Sequence, residues 1–290
     1  MKLVNANQIR RKSGYTQDYL IIAKPLIDGA GREFMVIGWL PGEERIEEPS
    51  SAWARVEAAQ REAQRRPCLL VPQPAHAVLA GELAAGLLDT TFGTLPPEIL
   101  RAIQMHDTGW ASSDAQQIQR LRSGGPQAGE AVSFIAIPAE EMVEAWTASI
   151  HSAEGLSKIG AMIVSRHFSL LARRDQPHHQ RFLRAEKLRQ QDSAMATSED
   201  LERWTAALGF CDLVSLYLVS GLSSEVDLPL AHPSSRQAQT APRVSMQIEG
   251  RKLRFTPQTL RAGCMLSIQA LRHPLPAQGP RSETLNWEVQ

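Results

Sequence analysis

Five side chains of the kinds that hold metal ions or move protons fall where helical spacing turns them inward. His76 stands three, seven and eleven residues before Leu79, Leu83 and Leu87, and His106 follows Ile99 and Ile103 by seven and three. Asp107 follows Leu100 and Ile103 by seven and four, and His167 follows Ile163 and Val164 by four and three. Asp212 lies four past Leu208 and three before Ser215, with Leu216 and Val219 beyond. Residues three, four and seven apart share a helix face, so each polar group continues an apolar stripe. One histidine on such a face is ordinarily a hydrogen-bonded core residue. A carboxylate there must be paired or neutralised. Without a common partner each group would cost about 1–3 kcal/mol, a large share of a domain's stability. A divalent ion removes that cost by taking imidazole nitrogens and carboxylate oxygens directly, so convergence on a metal is the economical reading.

The elements that must position these groups are helical. From residue 72 the apolar pattern runs at helical spacing for about 150 residues. Pro72 with Pro74 and Pro96 with Pro97 open two helices, and further helices are predicted over 139–150, 154–172, 177–191 and 198–220. The stretch from Trp110 to Phe134, with Gly124, Gly125 and Pro126, reads as a long irregular excursion. Residues 19–23, 33–40 and 68–71 read as strands; 244–248 and 252–255 flank Gly250 as a hairpin, and 265–271 adds a strand. The Pro/Ser/Gln-rich run from His232 to Arg243 reads as an exposed linker. The expected organisation is an N-terminal β/α extension over 1–66 and a helical metal-binding domain over 67–231. A linker with a C-terminal β segment follows over 232–290, packing back on the N-terminal strands.

Composition sets the outer bounds. With 290 residues, 43% hydrophobic and 21% charged, the chain can bury a real core. Its 31 basic and 31 acidic side chains cancel, which counts against a DNA-binding module. No apolar run approaches the roughly 20 residues a membrane helix needs. Cys68, Cys211 and Cys264 fit neither a disulfide framework nor a CxxC zinc site, so a cytoplasmic home is expected. The chain lacks GxxxxGK[ST], GxGxxG after a strand, HExxH and GxSxG, which removes the usual anchors of four large enzyme classes. Six of the basic residues are lysine and the rest arginine, a bias that high-GC codon usage explains without any function.

The order His…His-Asp…Asp, carried by PAHAVLAGELA, LRAIQMHDTGW and LGFCDLVSLYL, resembles the HD superfamily of metal-dependent phosphohydrolases. More narrowly, a strand running into VPQPAHAVLAGELA, the MIVSRHFSLLA helix and the CDLVSLYL helix resemble its uncharacterised bacterial DUF3891 branch, which a closing VSMQIEGRKLRFTP segment also fits, over roughly residues 67–260. The resemblance implies a mainly α fold, an HD-like helical bundle flanked by a small β-sheet from the N- and C-terminal segments. It implies one or two divalent ions (Mn, Fe, Ni or Zn), with His76, His106, Asp107 and Asp212 as first-metal ligands. In binuclear relatives the Asp of the pair bridges to a second ion, for which His167 and then His151 are the candidates. His178 and His179 sit in a polar turn and read as solvated.

The implied chemistry is metal-assisted hydrolysis of a phosphate ester or nucleotide, in which the ion lowers the pKa of a water and neutralises phosphoryl charge. Asp107 would be central to it, and Arg166, directly beside His167, could clamp the phosphate. Two other readings use the same residues: a di-iron oxygenase of a small molecule, and a non-catalytic metal- or ligand-binding bundle. A small phosphorylated molecule is the expected partner, with no DNA and no membrane; a homo-oligomer is compatible with the neutral charge.

Overall fold

The structure, a computed structural model, describes residues 22–27, 33–38, 53–57, 68–122, 133–191, 196–222, 225–273 and 282–290. Its helices are α1 (Gln73–Gly86), α2 (Asp89–Phe92), α3 (Pro97–Met105), α4 (Ala111–Arg122), α5 (Ala139–Glu154), α6 (Lys158–Leu171), α7 (Pro177–Gln191) and α8 (Ser198–Val219). The prolines that open α1 and α3 lie in their first turns, where the missing N–H has no intrahelical partner in any case. Ser157 caps α6 by accepting from the Gly160 N–H, and Thr197 caps α8 by accepting from the Asp200 N–H. α8 is the central helix, buried almost throughout from Trp204 to Leu218. It packs on α1 and α6, and α1 packs on α3. Gly81 makes that last contact possible: a Cβ there would meet Gln104 Cβ at 2.7 Å.

Among the described residues, eight strands accompany the helices. β1 (Ile22–Ile27) and β2 (Glu33–Gly38) form an antiparallel pair of their own. The other six are β3 (Cys68–Leu70), β4 (Val226–Pro229), β5 (Arg243–Glu249), β6 (Lys252–Thr256), β7 (Met265–His273) and β8 (Ser282–Val289). They make one sheet in the order β3-β7-β8-β6-β5-β4, antiparallel except where β6 runs parallel to β8. Burial alternates along β5, β6 and β7, so one face is core: Val244, Met246, Leu253, Phe255, Leu266 and Ile268 belong to the same apolar cluster as the helices. β7 lies against α1.

The sheet is a sizeable part of the fold, larger than the small flanking sheet expected, because β4 and β8 join the predicted strands. Among the described strands, β3 is the N-terminal segment that pairs with the C-terminal ones. The excursion after Trp110 contains helix α4, whose only buried residue is Leu121. A helix so polar has no apolar stripe to betray it. Of the helix expected after Ser50, residues 53–57 are described and helical. No helix among the described residues is long and apolar enough to cross a membrane.

Candidate metal centre

α1 carries His76 on its first turns and α8 carries Asp212 near its middle, both on faces turned to one another. α3 ends at Met105, so His106 closes the helix and Asp107, at φ −114° and ψ 20°, stands outside it. That corrects the helical placement of Asp107. Its neighbours Thr108–Trp110 form a 3-10 turn that lies directly on α5, where the Gly109 N–H donates to Ser149 Oγ at 2.9 Å. A Cβ on Gly109 would stand 2.0 Å from the Ala145 carbonyl oxygen, so only glycine allows this approach.

The result is a tight buried cluster. His76 Nε2 lies 2.8 Å from Asp107 Oδ2 and 3.7 Å from Asp212 Oδ1. His106 Nε2 lies 3.4 Å from Asp212 Oδ1 and 3.7 Å from Asp107 Oδ2, yet it makes no hydrogen bond. Ligand atoms of His76, His106 and Asp212 fall within 4.8 Å of one another. The outward nitrogen of each ring and the second oxygen of Asp107 are held. His106 Nδ1 donates to the Ile103 carbonyl at 2.8 Å, and the Trp110 indole donates to Asp107 Oδ1 at 3.2 Å. Ser215 Oγ donates to the Asp212 carbonyl, which leaves it to accept from His76 Nδ1, 2.8 Å away. Neutral His106 therefore holds its proton on Nδ1 and turns the Nε2 lone pair inward, the form in which imidazole binds a metal, whereas His76 Nε2 donates to the Asp107 carboxylate at 2.8 Å until a metal takes the place of that proton.

The electrostatics ask for a cation. Burial by itself pushes the His106 pKa down, but the Asp107 and Asp212 carboxylates overcome it and raise it to about 9. Burial likewise pushes Asp107 up, and His106 with His76 more than offset it, leaving its pKa below the usual carboxylate value. Two carboxylates and two inward imidazole nitrogens, one of them without a hydrogen bond, are a donor set that fits a divalent ion.

His167 and His232 complete the cluster. His167 Nε2 lies 3.7 Å from Asp212 Oδ2, and its ring packs edge-on against His106 at 5.4 Å. Its Nδ1 lies 2.9 Å from His232 Nε2, and His232 Nδ1 accepts from the Ser234 N–H. His232 falls in the run expected to be an exposed linker, yet it is 3% exposed. Gly209 of α8 makes room for it, since a Cβ there would meet His232 Cδ2 at 2.5 Å.

His76, Asp107, His167 and Asp212 open onto a cavity of about 410 Å³. Its walls are largely apolar: Trp53, Trp110, Phe134, Met142, Trp146 and Phe168. Two expectations fail here. Arg166 points the other way, into a groove between α6 and α7 shared with Arg174, Arg184 and Lys187. His151 lies on the exposed side of α5, with Nε2 3.4 Å from an Arg189 nitrogen. Both follow from the rotation of their helices, which puts the adjacent residue, His167 or Ile150, in the core. The cation that does line the cavity, among the described residues, is Arg173, whose other neighbour is Asp175 at 3.3 Å. His179, read as solvated, is buried; its Nδ1 accepts from the Arg173 N–H at 2.8 Å and its ring lies 5.1 Å from Trp146.

Asp114 of α4 supports the site from outside, accepting the Gln73 N–H at the start of α1 at 2.7 Å. Burial raises its pKa to about 6, with the Asp107 charge adding to the effect against the Gln73 bond. A raised carboxyl favours folding while protonated. That contribution is whole below its ordinary pKa near 4 and is lost as pH rises through 6. Wild type should therefore lose about 1–2 kcal/mol relative to Asp114→Asn between pH 4 and 7, after allowance for partial solvent screening. Urea unfolding at the two pH values measures this, and parallel losses in both proteins would refute it.

No curated protein and no solved structure matches the chain. A family pattern does match, over residues 61–277, a span that holds His76, His106, Asp107, His167, Asp212 and His232. On that match the chain belongs to the family described as "Protein of unknown function (DUF3891)".

Proposed function

We propose that the protein is an HD-type metal-dependent phosphohydrolase whose substrate is a phosphate ester of an apolar, ring-containing group. The observation that carries this reading is the His106 Nε2 atom. It is buried, without a hydrogen bond, and faces two carboxylates at the edge of a cavity. His76, His106, Asp107 and Asp212 are the residues that would hold the ion. When bound, a divalent ion supplies Lewis-acid activation of water and neutralises charge on a phosphoryl oxygen.

The protein's own groups account for the rest. The Trp110 indole and the Ser215 hydroxyl orient Asp107 and His76, so the donor atoms are set before any ligand arrives. The aromatic walls take up the organic part of the ester and exclude water around it. Arg173 offers one guanidinium to the phosphate, which suits a monoester better than a nucleoside polyphosphate.

The test is hydrolysis after reconstitution with manganese, iron, nickel or zinc. Release of phosphate from 1-naphthyl phosphate is expected, abolished by a chelator and restored by metal. Burial of the ring system in place of a polar group is worth ~1.5–3 kcal/mol, so kcat/KM should exceed that for glycerol phosphate by roughly 10–100-fold. A reconstituted protein that binds metal but releases phosphate from neither ester would sink the proposal.

A further inference from the structure

The ring bonded to His167 constrains it more than its distance to Asp212 does. A backbone N–H can only donate, so His232 Nδ1, which receives the Ser234 N–H at 3.2 Å, must be the acceptor nitrogen of its ring. An imidazole whose Nδ1 accepts carries its proton on Nε2. That Nε2–H is what lies 2.9 Å from His167 Nδ1, so His167 Nδ1 must accept in turn. The proton of the His167 ring is then on Nε2, the atom facing Asp212 Oδ2 on the cavity wall. The opposite holds at neutral His106, where Nδ1 donates to the Ile103 carbonyl and Nε2 has no hydrogen bond.

From this we infer that His232 fixes His167 as an N–H donor toward the reacting position, and that His167 stands beside a single metal ion rather than binding a second. The inference rests on the metal-centre reading above and sharpens it. A nitrogen bearing a proton has no lone pair for a metal. To become a ligand, His167 would have to move that proton to Nδ1, which would break or reverse both bonds of the relay. The His232 ring sits close against the α8 backbone at Gly209, where an added Cβ would lie 2.5 Å from His232 Cδ2. The relay is also deeply buried, with His167 and His232 at 1% and 3% exposure. Burial, with the neighbouring histidines, holds His167 well below its ordinary pKa, and burial lowers His232 to about 4, which agrees with two neutral rings. A fixed donor there can serve an oxygen of the substrate or of the attacking water. His232 itself reaches neither and is a positioning residue.

The experiment is long-range proton–nitrogen NMR on the full chain with nitrogen-15-labelled histidine, metal-free and loaded with cadmium-113. In the metal-free protein His167 should show the Nε2–H tautomer. With cadmium, scalar coupling is expected to the Nε2 atoms of His76 and His106 and none to His167. His232→Gln keeps a donor and should retain the His167 tautomer, whereas His232→Leu should give a mixture of both. An Nδ1–H tautomer of metal-free His167, or cadmium coupling to it, overturns the inference while leaving the metal centre standing. Absence of coupling to His76 and His106 overturns the metal centre itself, and the metal-free tautomer still decides the role of His167. If His232→Leu fails to fold, the wild-type spectra decide alone.

Discussion

His106→Ala is expected to strip the protein of its divalent-ion affinity. The loss should be at least the ~100-fold that removal of an outer-shell partner alone can cost. The ring supplies the one buried nitrogen of the cluster that has no hydrogen bond, so nothing in the protein competes with a metal for it. Its other nitrogen bonds only within its own helix, to the Ile103 carbonyl. Truncation therefore removes the inward lone pair without cutting a tie between elements, and the far-UV circular dichroism should stay that of a helical protein. Asp107→Ala should lose the metal as well. Here the Trp110 indole loses its acceptor, so some destabilisation accompanies the loss. Equilibrium dialysis against zinc, with elemental analysis of the retained metal, gives the answer for both. Wild-type stoichiometry in both variants would remove the centre from these residues.

Gly109→Ala should be the most damaging added methyl among the described glycines. The added Cβ would lie 2.0 Å from the Ala145 carbonyl oxygen and 2.5 Å from the Ser149 nitrogen, both backbone atoms of α5. No rotamer change can relieve a clash with helix backbone. The 3-10 turn must lift away, taking Asp107 and Trp110 with it. The expected cost is about 3 kcal/mol or more, a fall of ~6–12 °C in melting temperature. Gly155→Ala is the control: its backbone is already helical at φ −61°, and the nearest atom to a new Cβ is 3.5 Å away. That variant should melt near wild type. A Gly109→Ala protein that melts with the control, and binds metal as wild type does, would show that the turn is not held by this contact.

Helical spacing found the residues that continue a row of apolar side chains along a buried helix. His76 and Asp212 continue stripes of leucine and valine, and both are buried where the stripe put them. Asp107 lies in the buried cluster but not on the helix where spacing placed it. Its helix stops at Met105 because of a contact with Ala145 and Ser149 some 40 residues away, which no local window contains. His232 was hidden for the same reason: its surroundings read as a polar loop, and its burial depends on a glycine in α8. Arg166 and His151 show the opposite failure. Each is next to a buried residue, and one position on a helix is about 100° of rotation, enough to move a side chain from the cavity to solvent. The oxygenase and non-catalytic readings share the same donor residues, so spacing could not separate them. What bears on that choice is the hydrogen-bond direction at each ring.

The position of β8 bears on how the molecule is made. It follows every other described element in the chain, yet it lies in the interior of the sheet, between β7 and β6. Until it arrives, β3 with β7 and β6 with β5 and β4 are two separate ribbons, each presenting an unpaired edge. A growing polypeptide on the ribosome thus has its helices in place well before the strand that joins the ribbons has been synthesised. During that interval the open edges are sites for pairing with another nascent chain. Translation speed while β8 is being made, and chaperone supply at that moment, should therefore bear on the yield of folded protein.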